Sequence, residues 1–326
     1  MGGKRFYLQW HITHECNLRC AHCYQEDYES HMSRPELFRC LDQFSALLEG
    51  RDAEPQINLT GGEPLLHPDF FDLCREIRRR EYRLGVLTNG TLIDGDAAER
   101  LAALGPVFVQ VSLDGTEPVH DTIRGPGTFG RALRGIDRLK ERGVRVLVSF
   151  TAQRSNCRCL GKLAEVCRAH GVDKLWWDRV VTDDPRLAVT TGQFRRLVAL
   201  TGRLRRGELA DGGTPMVSSG RSLQFGSDPC AEVYRCSAGE NLLVLLADGS
   251  VMPCRRLPMV IGNVRDSSLK ALYEDSPVME ELRAPFVPAE CRGCRHLFRC
   301  GGGARCVTCA QTGRLDARDV NCFYRR

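Results

Sequence analysis

Over the first 181 residues, short runs of β-branched and apolar side chains alternate with longer amphipathic stretches. The runs predict strands at residues 6–13, 56–60, 83–88, 107–113, 144–151 and 174–181. The stretches between them predict helices at 36–48, 69–80, 94–104, 129–142 and 159–170, with a sixth from about 191 to 206. The helix ends carry matching punctuation. Asp94 is placed to cap the third helix, Gly105 and Pro106 end it, and Gly143 and Gly171 stop the next two. Alternation of this kind builds a parallel sheet through right-handed crossovers. Six such units close only partway into a barrel, where eight complete one. The expected class is α/β, a partial (β/α)6 TIM-like barrel, with ligands at the carboxyl ends of its strands.

The pattern changes after residue 207. The run Gly212-Gly213-Thr214-Pro215 and the pair Ser218-Ser219 read as a linker. Beyond it, nine of the 17 cysteines lie between Cys230 and Cys322. One clear hairpin accompanies them, 242–246 and 251–253 about the turn Asp248-Gly249. A segment so rich in cysteine and poor in regular elements has little apolar core and must be held by metal. The expected organisation is a barrel over 1–207, a linker over 208–229 and a loop-rich, metal-held domain over 230–326.

Composition narrows the classes. With 326 residues, 42% hydrophobic and 27% charged, the chain is globular rather than disordered. The net charge of +5 is modest and the Arg residues are scattered, which argues against nucleic-acid binding. No apolar stretch reaches the length of a membrane helix, and residues 1–13 hold no secretory apolar core. Seventeen cysteines cannot all pair internally, and a chain this long does not need disulfide staples. A reducing cytoplasm is expected, where clustered cysteines mean metal or redox chemistry.

The first cluster is Cys16-x3-Cys20-x2-Cys23, just after the first strand. Three thiolates on one loop can hold three irons of a [4Fe–4S] cluster and leave the fourth iron for a small molecule. Structural zinc wants four ligands, and this loop supplies three. Gly61-Gly62-Glu63-Pro64 follows the second strand; its glycines permit close backbone approach and Glu63 can receive an ammonium. Thr88-Asn89-Gly90 ends the third strand. Ser112-Leu113-Asp114-Gly115 ends the fourth and leads to His120-Asp121-x2-Arg124, where His120 and Asp121 read as a structural pair.

Together these motifs resemble the radical S-adenosylmethionine (SAM) superfamily over residues 6 to 181. The resemblance implies that Cys16, Cys20 and Cys23 bind a cluster that reductively cleaves SAM to a 5′-deoxyadenosyl radical. It places His22 near the adenine, Gly62 and Glu63 at the methionine amino group, and Ser112 and Arg124 at ribose and carboxylate. Gly61, Asn89 and Val181 complete the expected cofactor-facing set.

The C-terminal spacing Cys230-x5-Cys236, Gly249-x4-Cys254, Cys291-x2-Cys294-x5-Cys300 and Cys322 is similar to the SPASM extension of such enzymes. That resemblance implies two auxiliary [4Fe–4S] clusters. Cys230, Cys236 and Cys254 would ligate the first, and Cys291, Cys294, Cys300 and Cys322 the second. The family pattern places the next thiolate of the first cluster where this chain has Ala304. Cys306 or Cys309 substitutes, or one iron stays open. Of the remaining cysteines, Cys40, Cys74 and Cys167 fit as small buried hydrophobes, and Cys157 and Cys159 as residues near the mouth, open to a substrate-facing role.

The resemblance implies hydrogen-atom abstraction, with the auxiliary clusters taking or relaying an electron. The expected substrate is a ribosomally made peptide or protein, modified by crosslinking, thioether formation, excision or side-chain oxidation. Alternatives are a small molecule such as a tetrapyrrole or sugar alcohol, and a non-catalytic electron-transfer protein. No catalytic residue stands out; the candidates are Asp178, Arg179, Asp228 and Arg255. Arg255 follows Cys254 where sulfatase-activating relatives carry an Asp base, which disfavours formylglycine formation. Few residues precede Cys16, so a separate leader-recognition protein is expected, with an electron donor of the flavodoxin or ferredoxin type.

Overall fold

The computed structural model describes residues 4–208, 216–219, 223, 226 and 236–324. Cys230, Asp228 and most of the stretch read as a linker lie outside them.

The six expected strands form in sequence order: β1 (Lys4–His11), β2 (Ala53–Thr60), β3 (Arg83–Thr88), β4 (Phe108–Ser112), β5 (Val146–Ala152) and β6 (Lys174–Arg179). Each pairs in parallel with the next, as crossovers through helices require. The helices cover the sheet with faces set by their period. In α2 (Phe70–Arg79) the buried residues are Phe70, Leu73, Cys74 and Ile77, one stripe of a 3.6-residue helix. In α1 (Arg34–Leu48) they are Leu37, Cys40, Leu41, Phe44 and Leu47. Cys40, Cys74 and Cys167 are therefore small core side chains, as their pattern predicts. In α3 (Gly95–Leu104), Asp94 accepts the Ala97 N–H at 2.8 Å and Gly105 closes the helix at φ 58°.

Two elements of the barrel escape the sequence pattern. A helix α4 (Glu117–Arg124) follows β4, ahead of α5 (Thr128–Glu141). It is eight residues long and bracketed by Gly115 and Gly125, so its punctuation reads as a loop. A strand β7 (Met216–Ser219) adds to β6 from within the stretch read as a linker. Its Ser pair disguises it, because an edge strand needs backbone donors and acceptors more than apolar side chains. Between these lie α6 (Leu160–Ala169), which follows β5, and α7 (Thr191–Arg205), which follows β6.

The C-terminal hairpin forms as β8 (Leu242–Leu245) and β9 (Ser250–Met252), followed by β10 (Gly262–Asn263). It joins the barrel sheet: β8 pairs in parallel with β1, Tyr7 opposite Leu242 and Trp10 opposite Leu245. Among the described residues the result is one ten-stranded sheet in the order β10-β9-β8-β1-β2-β3-β4-β5-β6-β7, with β10 and β7 at its two ends. A short helix α8 (Leu269–Glu274) then packs its Leu269 and Leu272 into the core beside α1, and α9 (Pro277–Arg283), α10 (Leu297–Cys300) and α11 (Arg305–Thr312) follow it.

Adjacent C-terminal residues reveal the curvature. Arg255 lies over the ring of Tyr24, beyond β1, at 4.0 Å. Arg256 pairs with Asp178 at the end of β6. Four strands separate β1 from β6 in the sheet, so only a strongly bent sheet brings both ends to one dipeptide. At the same edge Arg179 is 2% exposed and makes a two-pronged pair with Asp319, 2.8 Å on each arm. Burial opposes ionisation of Asp319, but Arg179 and the N–H groups of Ala304 and Asn321 hold its carboxyl down at about 2. Asp178 and Arg179 thus join the barrel to the C-terminal segment.

Removing one partner leaves the other charge buried alone. Arg179→Met is expected to lower the free energy of unfolding by about 3 kcal/mol in a urea titration. Adding Asp319→Leu should recover part of that loss; equal stability of wild type and Arg179→Met would show the pair to be idle.

Candidate active site and cysteine centres

The loop after β1 carries Cys16, Cys20 and Cys23, all free thiols. Its backbone is pressed against the loop after β2. The Gly62 N–H donates to Thr13 O at 2.9 Å and the Glu63 N–H to Glu15 O at 2.8 Å. A Cβ on Gly61 would meet Thr13 O at 2.3 Å, and one on Gly62 would meet Glu15 O at 2.3 Å. The glycine pair is therefore required by the cysteine loop itself, the close approach that the structure records.

Glu63 is fully buried. One carboxylate oxygen accepts from the Thr88 hydroxyl at 2.8 Å and the other from the Asn89 N–H at 2.8 Å. It ties the end of β2 to the end of β3. Burial pushes its carboxyl up to about 7, against the pull of those donors. The Asn89 amide donates to Asn17 at 2.8 Å and reaches the Cys16 sulfur at 4.0 Å.

Beyond the end of β4, Asp114 is the centre of a buried polar network. It accepts from Arg124 Nε at 2.6 Å and from the Thr151 N–H at 2.9 Å, and lies 3.6 Å from His22 Nε2. Its own N–H donates to His120 Nδ1 at 3.1 Å. Arg124 also points an Nη at the Cys20 sulfur, 3.8 Å away. The order His22–Asp114–Arg124–Cys20 thus runs from the expected adenine side to the thiols. His22 Nδ1 is buried with no hydrogen-bond partner, a donor or acceptor left for a ligand. Ser112 sits beside Ser149 at 3.4 Å. Asp121 caps α5 through the N–H groups of Gly127 and Phe129, so His120 and Asp121 hold structure as expected. Asp114 is the residue that sequence reasoning quoted without a role; its place just past a strand end and ahead of an Arg on the next helix was the available signal.

The other candidates separate. Asp178 and Arg179 are committed to Arg256 and Asp319. Arg255 is stacked on Tyr24, and its Nε is buried without a hydrogen-bond partner. Val181 lies beyond β6 and packs with the C-terminal cysteines. Cys157 is buried in the main core rather than facing a substrate, and Cys159 sits against Gly115.

Among the C-terminal cysteines, Cys291, Cys294, Cys300 and Cys322 line one recess together with Arg318. Arg318 donates to the Cys322 sulfur at 3.1 Å. Cys254 and Cys306 belong to a small apolar cluster, with Cys236 and Cys309 packed against it. Among the described residues, no three His, Cys, Asp or Glu side chains gather tightly enough for a single metal ion. A cluster asks for a wider set, one thiolate on each iron.

Sequence models of known families match two parts of the chain: the radical SAM superfamily over residues 10–152, and SPASM, an iron–sulfur cluster-binding domain, over residues 236–295. The chain thus carries a radical SAM domain and a SPASM domain. It is 29% identical to a pre-heme d1 synthase of Dinoroseobacter shibae, over 96% of this chain and 85% of that protein. It is 28% identical to a mycofactocin maturase, MftC, of Mycobacterium ulcerans, over 97% of this chain and 87% of that one. A solved structure of native anSMEcpe with bound AdoMet shares the fold, at TM-score 0.79 and 20% identity over 97% of this chain and 94% of that chain.

The radical SAM domain binds SAM and a [4Fe–4S] cluster, and the SPASM domain binds auxiliary clusters. The thiols of this chain fit such groups. Burial pushes Cys16 up to about 11 and Cys300 up to about 12, so their thiolates are costly without positive charge nearby. Iron supplies that charge, and N–H donors already face the sulfurs: Leu18 to Cys16 and Gln25 to Cys23, each at 3.4 Å.

Glu63 gives a pH test on the SAM-free enzyme. Its carboxyl titrates near 4.5 unfolded and about 7 folded, so stability falls as pH rises from about 4.5 to about 7 and then levels. Glu63→Gln cannot ionise, and the isosteric amide keeps the shape. Relative to the variant, wild type should lose roughly 3 kcal/mol over that window in denaturant titrations. Parallel pH curves for the two proteins would contradict the assignment.

Proposed function

We propose that this radical SAM/SPASM enzyme modifies a ribosomally made peptide or protein, by crosslinking, thioether formation, excision or side-chain oxidation. The observation that carries the reading is the contact of Arg255 with Tyr24. It sets the segment after Cys254 against the residue after Cys23, so a substrate in the mouth lies between two cysteine centres. Bound SAM and its cluster supply a 5′-deoxyadenosyl radical, and auxiliary clusters an electron path. Cys16, Cys20 and Cys23 would hold three irons, and His22, Gly61, Gly62, Glu63, Asn89, Ser112 and Arg124 would surround SAM. Asp114 keeps the Arg124 guanidinium fixed and charged beside Cys20. Arg255 has no acidic partner among the described residues and offers its charge to a substrate carboxylate.

Likeness to MftC along nearly the whole chain supports a peptide substrate, as does the same fold in native anSMEcpe with bound AdoMet and Cp18Cys peptide. Tyr24 is 58% exposed, so the mouth beside Cys23 is open to a long substrate. A leader-recognition protein and a flavodoxin or ferredoxin donor would act with the enzyme in the cytoplasm; no helix among the described residues is long and apolar enough to cross a membrane. Likeness to pre-heme d1 synthase supports a second reading, a tetrapyrrole whose propionates meet Arg255.

Mass spectrometry of short peptides encoded beside the enzyme and co-expressed with it separates the two. A changed mass, with substrate deuterium recovered in 5′-deoxyadenosine, is expected. Conversion of a propionate-bearing tetrapyrrole with every peptide untouched would overturn the peptide reading. For an acidic substrate, Arg255→Gln should raise KM about tenfold or more, and the effect should vanish for its amide analogue.

A further inference from the structure

Position 304 is where the resemblance to SPASM domains asks for a thiolate, and here it is alanine. We propose that helix α11 (Arg305–Thr312) supplies the missing ligation, Cys306 and Cys309 joining Cys236 and Cys254 around the first auxiliary cluster. The inference rests on the cluster-binding domain and not on the choice of substrate.

Ala304 is fully buried, and its N–H donates to Asp319 at 2.9 Å. Asp319 is in turn locked to Arg179, so the start of α11 is fixed relative to the barrel. A helix beginning there carries residues 306 and 309 on one face, because positions three apart are neighbours. The structure shows where that face goes. Cys306 is 7% exposed and shares an apolar cluster with Cys254, Ala238, Leu257 and Leu282. Cys236 and Cys309 pack against the same cluster. Four free thiols from three separate segments therefore border one apolar cluster.

Four thiolates are a complete set for a [4Fe–4S] cluster. The proposed quartet does not call on Cys230, so Cys230→Ala should keep the iron content of wild type, and loss of about four irons from it would overturn the quartet. Arg256, two residues after Cys254, adds a positive charge close to Cys306. With four protein thiolates, no iron of this centre is open to substrate, so its role is electron exchange across the mouth occupied by Arg255.

The test uses the full chain, reconstituted anaerobically with iron and sulfide. Iron per chain and Mössbauer spectra are compared for wild type, Cys306→Ala/Cys309→Ala, Ala304→Cys and Cys74→Ala, a core control. The double variant should lose about four irons per chain, while Ala304→Cys and Cys74→Ala should match wild type. Unchanged iron in a folded double variant would overturn the proposal. Should that variant fail to fold, cyanide decides, added to a Cys16→Ala/Cys20→Ala/Cys23→Ala protein that keeps only the auxiliary clusters. An unaltered spectrum supports four-thiolate ligation. A cyanide-dependent shift that Ala304→Cys abolishes shows an open iron and overturns it.

Discussion

The buried pair between Arg179 and Asp319 decides how this molecule is put together. Arg179 stands at the end of β6, stacked on Phe194 at 4.1 Å, and reaches 140 residues along the chain. Asp319 then accepts the Ala304 N–H ahead of α11, and its carbonyl accepts the Cys322 N–H. A Cβ on Gly303 would strike Asp319 at 2.3 Å, which is why a glycine run leads into α11. One carboxylate thus sets the start of the helix that bears Cys306 and Cys309 and the turn that bears Cys322. Such pairs contribute little net stability when complete, because desolvation offsets attraction. Their effect is on arrangement, since any other placement leaves a charge buried alone.

On the opposite flank the C-terminal segment is held by backbone pairing, with the partly exposed ion pairs Arg51–Glu274 and Arg265–Glu36 beside it. β8 continues the sheet beyond β1, and α8 covers α1. The cysteine-rich segment is therefore anchored at both sides of the bent sheet, by a ladder at β1 and by ions at β6. The mouth lies between, with Tyr24 and Arg255 across it. Inside the mouth the same logic recurs on a smaller scale: Glu63 binds β2 to β3, and Asp114 binds β4 to α4 and β5. Each of these strand ends is fastened to its neighbour by one buried carboxylate, so the cysteine loop rests on a rigid rim.

Much of this was legible beforehand where the signal is local. Hydrophobic period placed the six strands and their helices within a few residues, and Cys-x3-Cys-x2-Cys with Gly-Gly-Glu marked the ends of β1 and β2 as the site. The glycine pair was read for a ligand, whereas its recorded neighbour is the backbone of Thr13 to Glu15. Asp178 and Arg179, at the end of a strand, were read as candidate catalytic residues. Their partners, Arg256 and Asp319, are distant in sequence, and no local pattern announces a pairing of that kind. Asp114 was hidden for the same reason, its value coming from Arg124, His22 and Thr151 together. β7 was lost because its register is set by backbone pairing to β6 and not by an apolar period.

The central claim is that the rim of strand ends holds a three-thiolate cluster to which SAM binds, and that the chain uses it for radical chemistry. The direct measurement is formation of 5′-deoxyadenosine when the anaerobically reconstituted full chain meets SAM and a strong reductant. Wild type should produce it, and Cys16→Ala should not while keeping its auxiliary iron. SAM left intact by a fully iron-loaded, reduced wild-type protein would contradict the account.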